Sequence, residues 1–186
     1  MEKKADDIIL FNYYRDAELR GADLVLRLMN RAEDLGLQEP LTRHLADEAQ
    51  HAWLWTERIR TLGGQPMVID DRYHRYLRRK IGFPTEMLEL LALILVVEER
   101  MDKRYATHAA RPDVGPETLH VLNEIRADEA WYIAWMTEKL HDLEQSEGKE
   151  RVTAVLDHYR AREAEAFAEL QADEQKARRE SDGEPG

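Results

Sequence analysis

Four long stretches of this chain carry apolar residues at steps of three and four, and each stripe is broken near its middle by a glutamate. The first stripe is Phe11, Tyr14, Glu18, Gly21, Ala22, Val25, Leu28 and Met29. The second is Leu41, Leu45, Glu48, His51, Ala52, Trp55, Ile59 and Leu62. The third is Met87, Leu91, Ile94, Glu98, Met101 and Tyr105, and the fourth is Leu122, Ile125, Glu129, Tyr132, Ile133, Met136 and Leu140. Such spacing marks one face of an α-helix. A helix that only had to pack would carry leucine at the middle positions. A carboxylate buried there without a partner costs several kcal/mol, so these four must be paired, protonated or metal-bound.

Glycine and proline cluster around Gly36 to Pro40, at Gly63 to Pro66, at Gly82 to Pro84 and at Pro112 to Pro116, and cut the chain into helix-length pieces. β-branched alternation is nearly absent, so no sheet is expected. The expected helices run from about Asp6 to Leu35, from about Glu39 to Leu62, from just after Pro84 with Thr85 as cap, and from near Pro116. The run Leu90 to Val97 is apolar all round and calls for cover on every side. Only the link between the second and third helices is long, at about 20 residues, and short, long, short connectivity suits a bundle with one crossover. Asp70 to Ile81 in that crossover is expected to form a short surface helix. A fifth helix, from about Glu150 to Leu170, should pack outside the bundle or against another subunit. The expectation is a single domain over residues 1–175, with a polar, disordered tail over 176–186.

Two segments nearly repeat each other: Ala46-Asp47-Glu48-Ala49-Gln50-His51 and Ala127-Asp128-Glu129-Ala130-Trp131-Tyr132. Each follows an earlier stripe glutamate, Glu18 or Glu98, by about 30 residues, and the order Glu, Glu-x-x-His, Glu, Glu-x-x-(His) is that of a two-metal carboxylate site. Glu98 is preferred to Glu99, which falls beside Asp102 and Lys103 on a solvated face; Glu18-Leu19-Arg20 also parallels Glu98-Glu99-Arg100. One Glu-x-x-His alone is a weak signal, but four carboxylates at mid-helix in this order form a strong one.

On these residues the chain resembles the ferritin-like di-iron carboxylate proteins, most nearly the rubrerythrin-like bundles, over roughly residues 6–145. The resemblance implies an all-α, ferritin-like antiparallel four-helix bundle with a long crossover between helices 2 and 3 and an additional C-terminal helix. It implies two iron ions, with manganese as the alternative; zinc also suits the donor set. Glu18 and Glu98 would be terminal or bridging ligands, Glu48 and Glu129 would bridge, and His51 would bind one iron. It further implies reaction with oxygen or peroxide: oxidation, peroxide reduction or oxygenation of a small organic substrate.

Tyr132 departs from the pattern, standing where the second histidine should be. Three readings stay open: a phenolate ligand, whose ionisation a dication favours; a redox-active tyrosine beside a one-histidine site; or the mark of a degenerate site. His44, one turn before Glu48, could support that glutamate from outside the ligand sphere, and the other histidines have no spacing that suggests a site. Glu163 interrupts the fifth stripe and is expected to be solvated or salt-bridged, with an extra ligand as the alternative. Tyr13, Tyr14, Trp53, Trp55, Trp131 and Trp135 lie near the site in sequence; packing accounts for them, and an electron-hole relay is the alternative. Arg20 and Arg100 are expected to pair with acids on adjacent faces.

The 186 residues include no cysteine, which excludes disulfides, thiolate metal sites, iron–sulfur clusters and cysteine nucleophiles. Electrons would therefore have to come from an external donor. The net charge of −11 argues against nucleic acid, despite the basic run Arg75 to Lys80 that gives a transfer-RNA hydroxylase its only support. No apolar run approaches the roughly 20 residues of a membrane span, and the N-terminus has no signal-peptide pattern, so a cytoplasmic protein, with a homodimer as one assembly, is expected. The two competing functions are ferritin-like iron oxidation and handling, and a non-catalytic helical scaffold with a degenerate metal site.

Overall fold

The computed structural model describes residues 2–70, 72–82, 84 and 86–181. These form six helices: α1 (Glu2–Met29), α2 (Leu35–Thr61), α3 (Arg72–Ile81), α4 (Met87–Ala109), α5 (Pro116–Glu147) and α6 (Lys149–Ser181). There is no strand among the described residues, so the all-α expectation holds. Helix α1 packs on α2 and α4, and α5 packs on α4 and α2, so the four striped helices enclose one another's apolar faces. No helix among the described residues is long and apolar enough to cross a membrane.

The first turn comes earlier than expected: α1 stops at Met29 and α2 starts at Leu35. Asp34 caps α2, its side chain accepting from the Gly36 amide at 2.8 Å. The Gln38 side-chain amide then reaches back to the carbonyls of Met29 (3.2 Å) and Ala32 (2.9 Å), satisfying acceptors that the end of α1 leaves open. Pro40 sits inside α2, within its second turn. Helix α4 begins at Met87 after the N-cap Glu86; the expected cap Thr85 lies outside the described residues.

Every residue from Leu90 to Val97 is buried, as an all-apolar helix segment requires. One side of it meets α1, α2 and α5 through Leu90, Leu91, Ile94 and Leu95. The other side, Ala92, Leu93, Val96 and Val97, is covered by the crossover helix α3 and by α6. Helix α3 is therefore more than a surface helix, since Tyr73, Tyr76 and Leu77 are buried. Its basic residues largely serve as struts: Lys80 pairs with Glu165 at 3.3 Å, Arg79 pairs with Glu169, and Arg75 pairs with Asp70 at 2.7 Å.

Helix α6 packs on α3, α4 and α5, outside the four striped helices, as expected. It continues to Ser181, so residues 176–181 are helical rather than a disordered tail, and residues 182–186 lie outside the described residues. Glu163 is the buried acid of this helix. Arg100 of α4 holds it with two 2.7 Å hydrogen bonds, and the Tyr73 hydroxyl donates to it at 3.1 Å. The salt-bridged reading of Glu163 is what the structure contains. The Arg100 guanidinium also lies 4.0 Å from the Phe167 ring centroid, which shields the pair from water.

Candidate metal centre

Glu18, Glu48, Glu98 and Glu129, one from each striped helix, are buried together with His51. The helical period turns each stripe inward, and the placement of each glutamate at mid-helix brings all four to the same depth. His51 is the pivot of one half: its Nδ1 lies 3.2 Å from Glu129 and 3.5 Å from Glu18. Gly21 makes room for the cluster, because a Cβ there would lie 2.7 Å from both carboxylate oxygens of Glu48.

A second histidine enters from an unexpected place. His44, one turn before Glu48 on α2, is fully buried, with its Nε2 3.2 Å from Glu48 and 3.8 Å from Glu98. Two sets of donors result, each with ligand atoms within 4.8 Å of one another: Glu18, Glu48 and His51, and His44, Glu48 and Glu98. The sets share Glu48, the geometry of a carboxylate placed between two ion positions. The available signal was the i, i+4 spacing of His44 and Glu48, which puts them on one helix face.

Tyr132 does not turn its hydroxyl into the cluster. It donates to Asp47 at 2.6 Å, while its ring stacks flat on His44. Burial, then the Asp47 carboxylate, raises its pKa, which disfavours the phenolate. The Tyr132 hydroxyl thus faces Asp47, and the imidazole beside Glu48 and Glu98 is that of His44, on which the Tyr132 ring stacks. The mirror contact is on His51, whose Nε2 meets Asp128 at 3.2 Å. Asp47 and Asp128 stand at equivalent places in the two repeated segments, and each reaches the residue four places after the other. Outer carboxylates of this kind orient a histidine toward a metal.

Tyr105 donates to Glu18 from the opposite side, and Tyr14, Trp55 and Phe11 pack around it. Tyr14 and Trp55 belong to this buried aromatic wall, whereas Tyr13, Trp53 and Trp131 are exposed. Arg20 pairs with Asp16 at 2.7 Å and Arg100 with Glu163, both away from the cluster.

Burial sets the electrostatics of the cluster. Burial, then the neighbouring carboxylates, pushes Glu48 and Glu98 well above the usual carboxylate range. Burial also raises Glu129, against the pull of His51. Burial would lower His51, but the Glu129 and Glu18 carboxylates beside its Nδ1 outweigh it and raise the imidazole to about 11. His44 is pushed down to about 3 by burial and by His51, so it is neutral and its approach to Glu48 is no ion pair. Both nitrogens of His44, Nδ1 of His51, and one oxygen each of Glu48 and Glu129 are buried without a hydrogen-bond partner. Native interiors rarely leave such groups unsatisfied. Four carboxylates and two imidazoles converging in this way fit divalent cations of the hard or intermediate class.

No family model, curated protein or solved structure matches the chain.

Proposed function

We propose that this protein is a ferritin-like di-iron carboxylate oxidoreductase that reacts with oxygen or peroxide. The observation that carries this reading is the pair of buried donor sets sharing Glu48, in which both nitrogens of His44, Nδ1 of His51 and one oxygen of Glu48 have no hydrogen-bond partner. Short α1–α2 and α4–α5 links around a long crossover support the ferritin-like arrangement. The presence of His44 weighs against a degenerate scaffold, because it restores the imidazole that Tyr132 withholds.

In this reading Glu18 and His51 would hold one ion and Glu98 and His44 the other, with Glu48 and Glu129 as carboxylates available to both. Iron in such a site supplies redox change at oxygen or peroxide, with manganese as the alternative. Four carboxylates match the charge of two dications, leaving both imidazoles neutral. Asp128 holds the outer nitrogen of His51, so Nδ1 faces the Glu18 and Glu129 carboxylates. Tyr105 anchors Glu18 and keeps a proton donor at its carboxylate. The surrounding aromatic and aliphatic side chains exclude bulk water.

The test is anaerobic loading with ferrous iron, counting of bound metal, and exposure to oxygen under a spectrometer. The expected result is about two irons per chain and a near-ultraviolet charge-transfer band absent from Glu48→Ala. Less than about one loosely held ion per chain, with no spectral change, overturns the reading.

A further inference from the structure

A groove of about 780 Å³ lies between α1, the crossover helix α3 and the start of α4. Its wall is apolar, made by Leu24, Leu77, Leu90 and Leu93. Its rim is cationic: Arg20, Arg27 and Arg31 follow one another along α1 and its end at steps of seven and four residues, and Arg75 and Arg78 face them from α3. Five arginines stand against two lining aspartates, Asp23 and Asp70, in a chain whose net charge is −11. Arginines thus outnumber the aspartates along this groove.

Four of these arginines already have partners: Arg20 pairs with Asp16, Arg27 with Asp23 and Arg75 with Asp70, and Arg78 makes an interaction of its own. Exposed pairs of this kind contribute about 0–1 kcal/mol and exchange readily for a better anion. Arginine presents a planar fork that binds carboxylate or phosphate through two hydrogen bonds. A cavity of this volume, with an apolar wall and a few polar groups at one side, matches the usual form of a small-molecule site.

We infer that this groove binds a small amphipathic anion, its apolar body on the leucine wall and its carboxylate or phosphate head at the arginines. The groove is separate from the carboxylate cluster. Leu24 lies six residues from Glu18 and Leu93 five from Glu98, about 9 and 7.5 Å along the helices. Ligand binding there requires no metal, so its outcome is independent of the metal reading.

The experiment is calorimetric titration of the full chain, metal-free and metal-loaded, with dodecanoate, dodecyl phosphate, uncharged dodecanol and inorganic phosphate, all below micellar concentrations. The expected result is saturable binding of at least one anionic amphiphile. Dodecanol and inorganic phosphate should bind at least about tenfold more weakly. Whether dodecanoate or dodecyl phosphate binds better distinguishes a carboxylate head from a phosphate one. The double variant Arg31→Glu, Arg78→Glu, with an unchanged melting temperature, should lose affinity by about tenfold or more. No saturable binding by either anion, equal binding of dodecanol, or an unaffected double variant overturns the inference.

Discussion

His44 lies flat against Tyr132, the ring centroids 3.9 Å apart and the planes 11° from parallel. The stack fills the position expected for a histidine on α5 with a histidine from α2. It also leaves the Tyr132 hydroxyl free to bond Asp47 on the outside of the cluster. In the proposed site the two residues would share the task of one histidine at position 132.

His44→Ala should therefore remove one ion position and leave the other. Metal counting should fall from about two ions per chain to about one, whereas Tyr132→Phe should keep about two. Equal loss in both variants would return Tyr132 to the ligand set.

Asp128→Asn removes the carboxylate that holds the outer nitrogen of His51. Metal affinity should weaken by about 10–100-fold, the usual effect of losing such a partner. Competition with a chromophoric chelator measures it, and an unchanged affinity would show that packing alone orients the ring.

Gly21→Ala places a methyl group 2.7 Å from the Glu48 carboxylate. The helix gains propensity, by about 1 kcal/mol, but overpacking at the cluster should cost about 1–3 kcal/mol. The discriminating readout is the metal-induced rise in melting temperature, which should shrink because Glu48 is displaced.

The pH dependence of stability should change sign with metal. In the metal-free chain Glu48, Glu98 and Glu129 lie above the ordinary 4.5, and His51 lies at about 11 against an ordinary 6.5. Each raised group stabilises fully below its unfolded pKa, and that contribution is lost as pH rises through the folded value. His44, lowered to about 3 from 6.5, acts oppositely: its contribution is present above 6.5 and is lost on acidification. Three carboxyls and His51 outweigh His44, so the metal-free chain should lose stability from about pH 5.5 to 8. Metal displaces those protons, so the loaded chain should gain stability over the same range. Urea unfolding at several pH values checks both slopes.

Arg100→Met leaves the buried Glu163 with Tyr73 as its remaining described partner. Stability should fall by up to about 3 kcal/mol, since breaking a buried pair strands a charge. Metal stoichiometry should not change, which separates this strut from the metal cluster. Urea unfolding and metal counting on the same sample give both answers.

Much of this is legible in the amino-acid order. The 3.6-residue period placed Glu18, Glu48, His51, Glu98 and Glu129 on inward faces, and the structure gathers all five. The apolar run from Leu90 to Val97 foretold a helix covered on every side, though not that α3 and α6 would supply part of the cover. The end of α1 was misplaced because Asp34 and Gln38 act as capping residues only when the turn brings them near the carbonyls of α1. The approach of His44 to Glu98 is not legible in the sequence, because it depends on how far α2 and α4 stand apart.

The amino-acid order by itself determined which helix faces are apolar and at what depth each carries an acid, since both follow from local helical geometry. Which imidazole completes the cluster, and which hydroxyl turns away from it, were decided only by tertiary structure. Residues 44 and 132 lie on different helices, and their separation depends on the rotation and spacing of those helices, which no local repeat encodes.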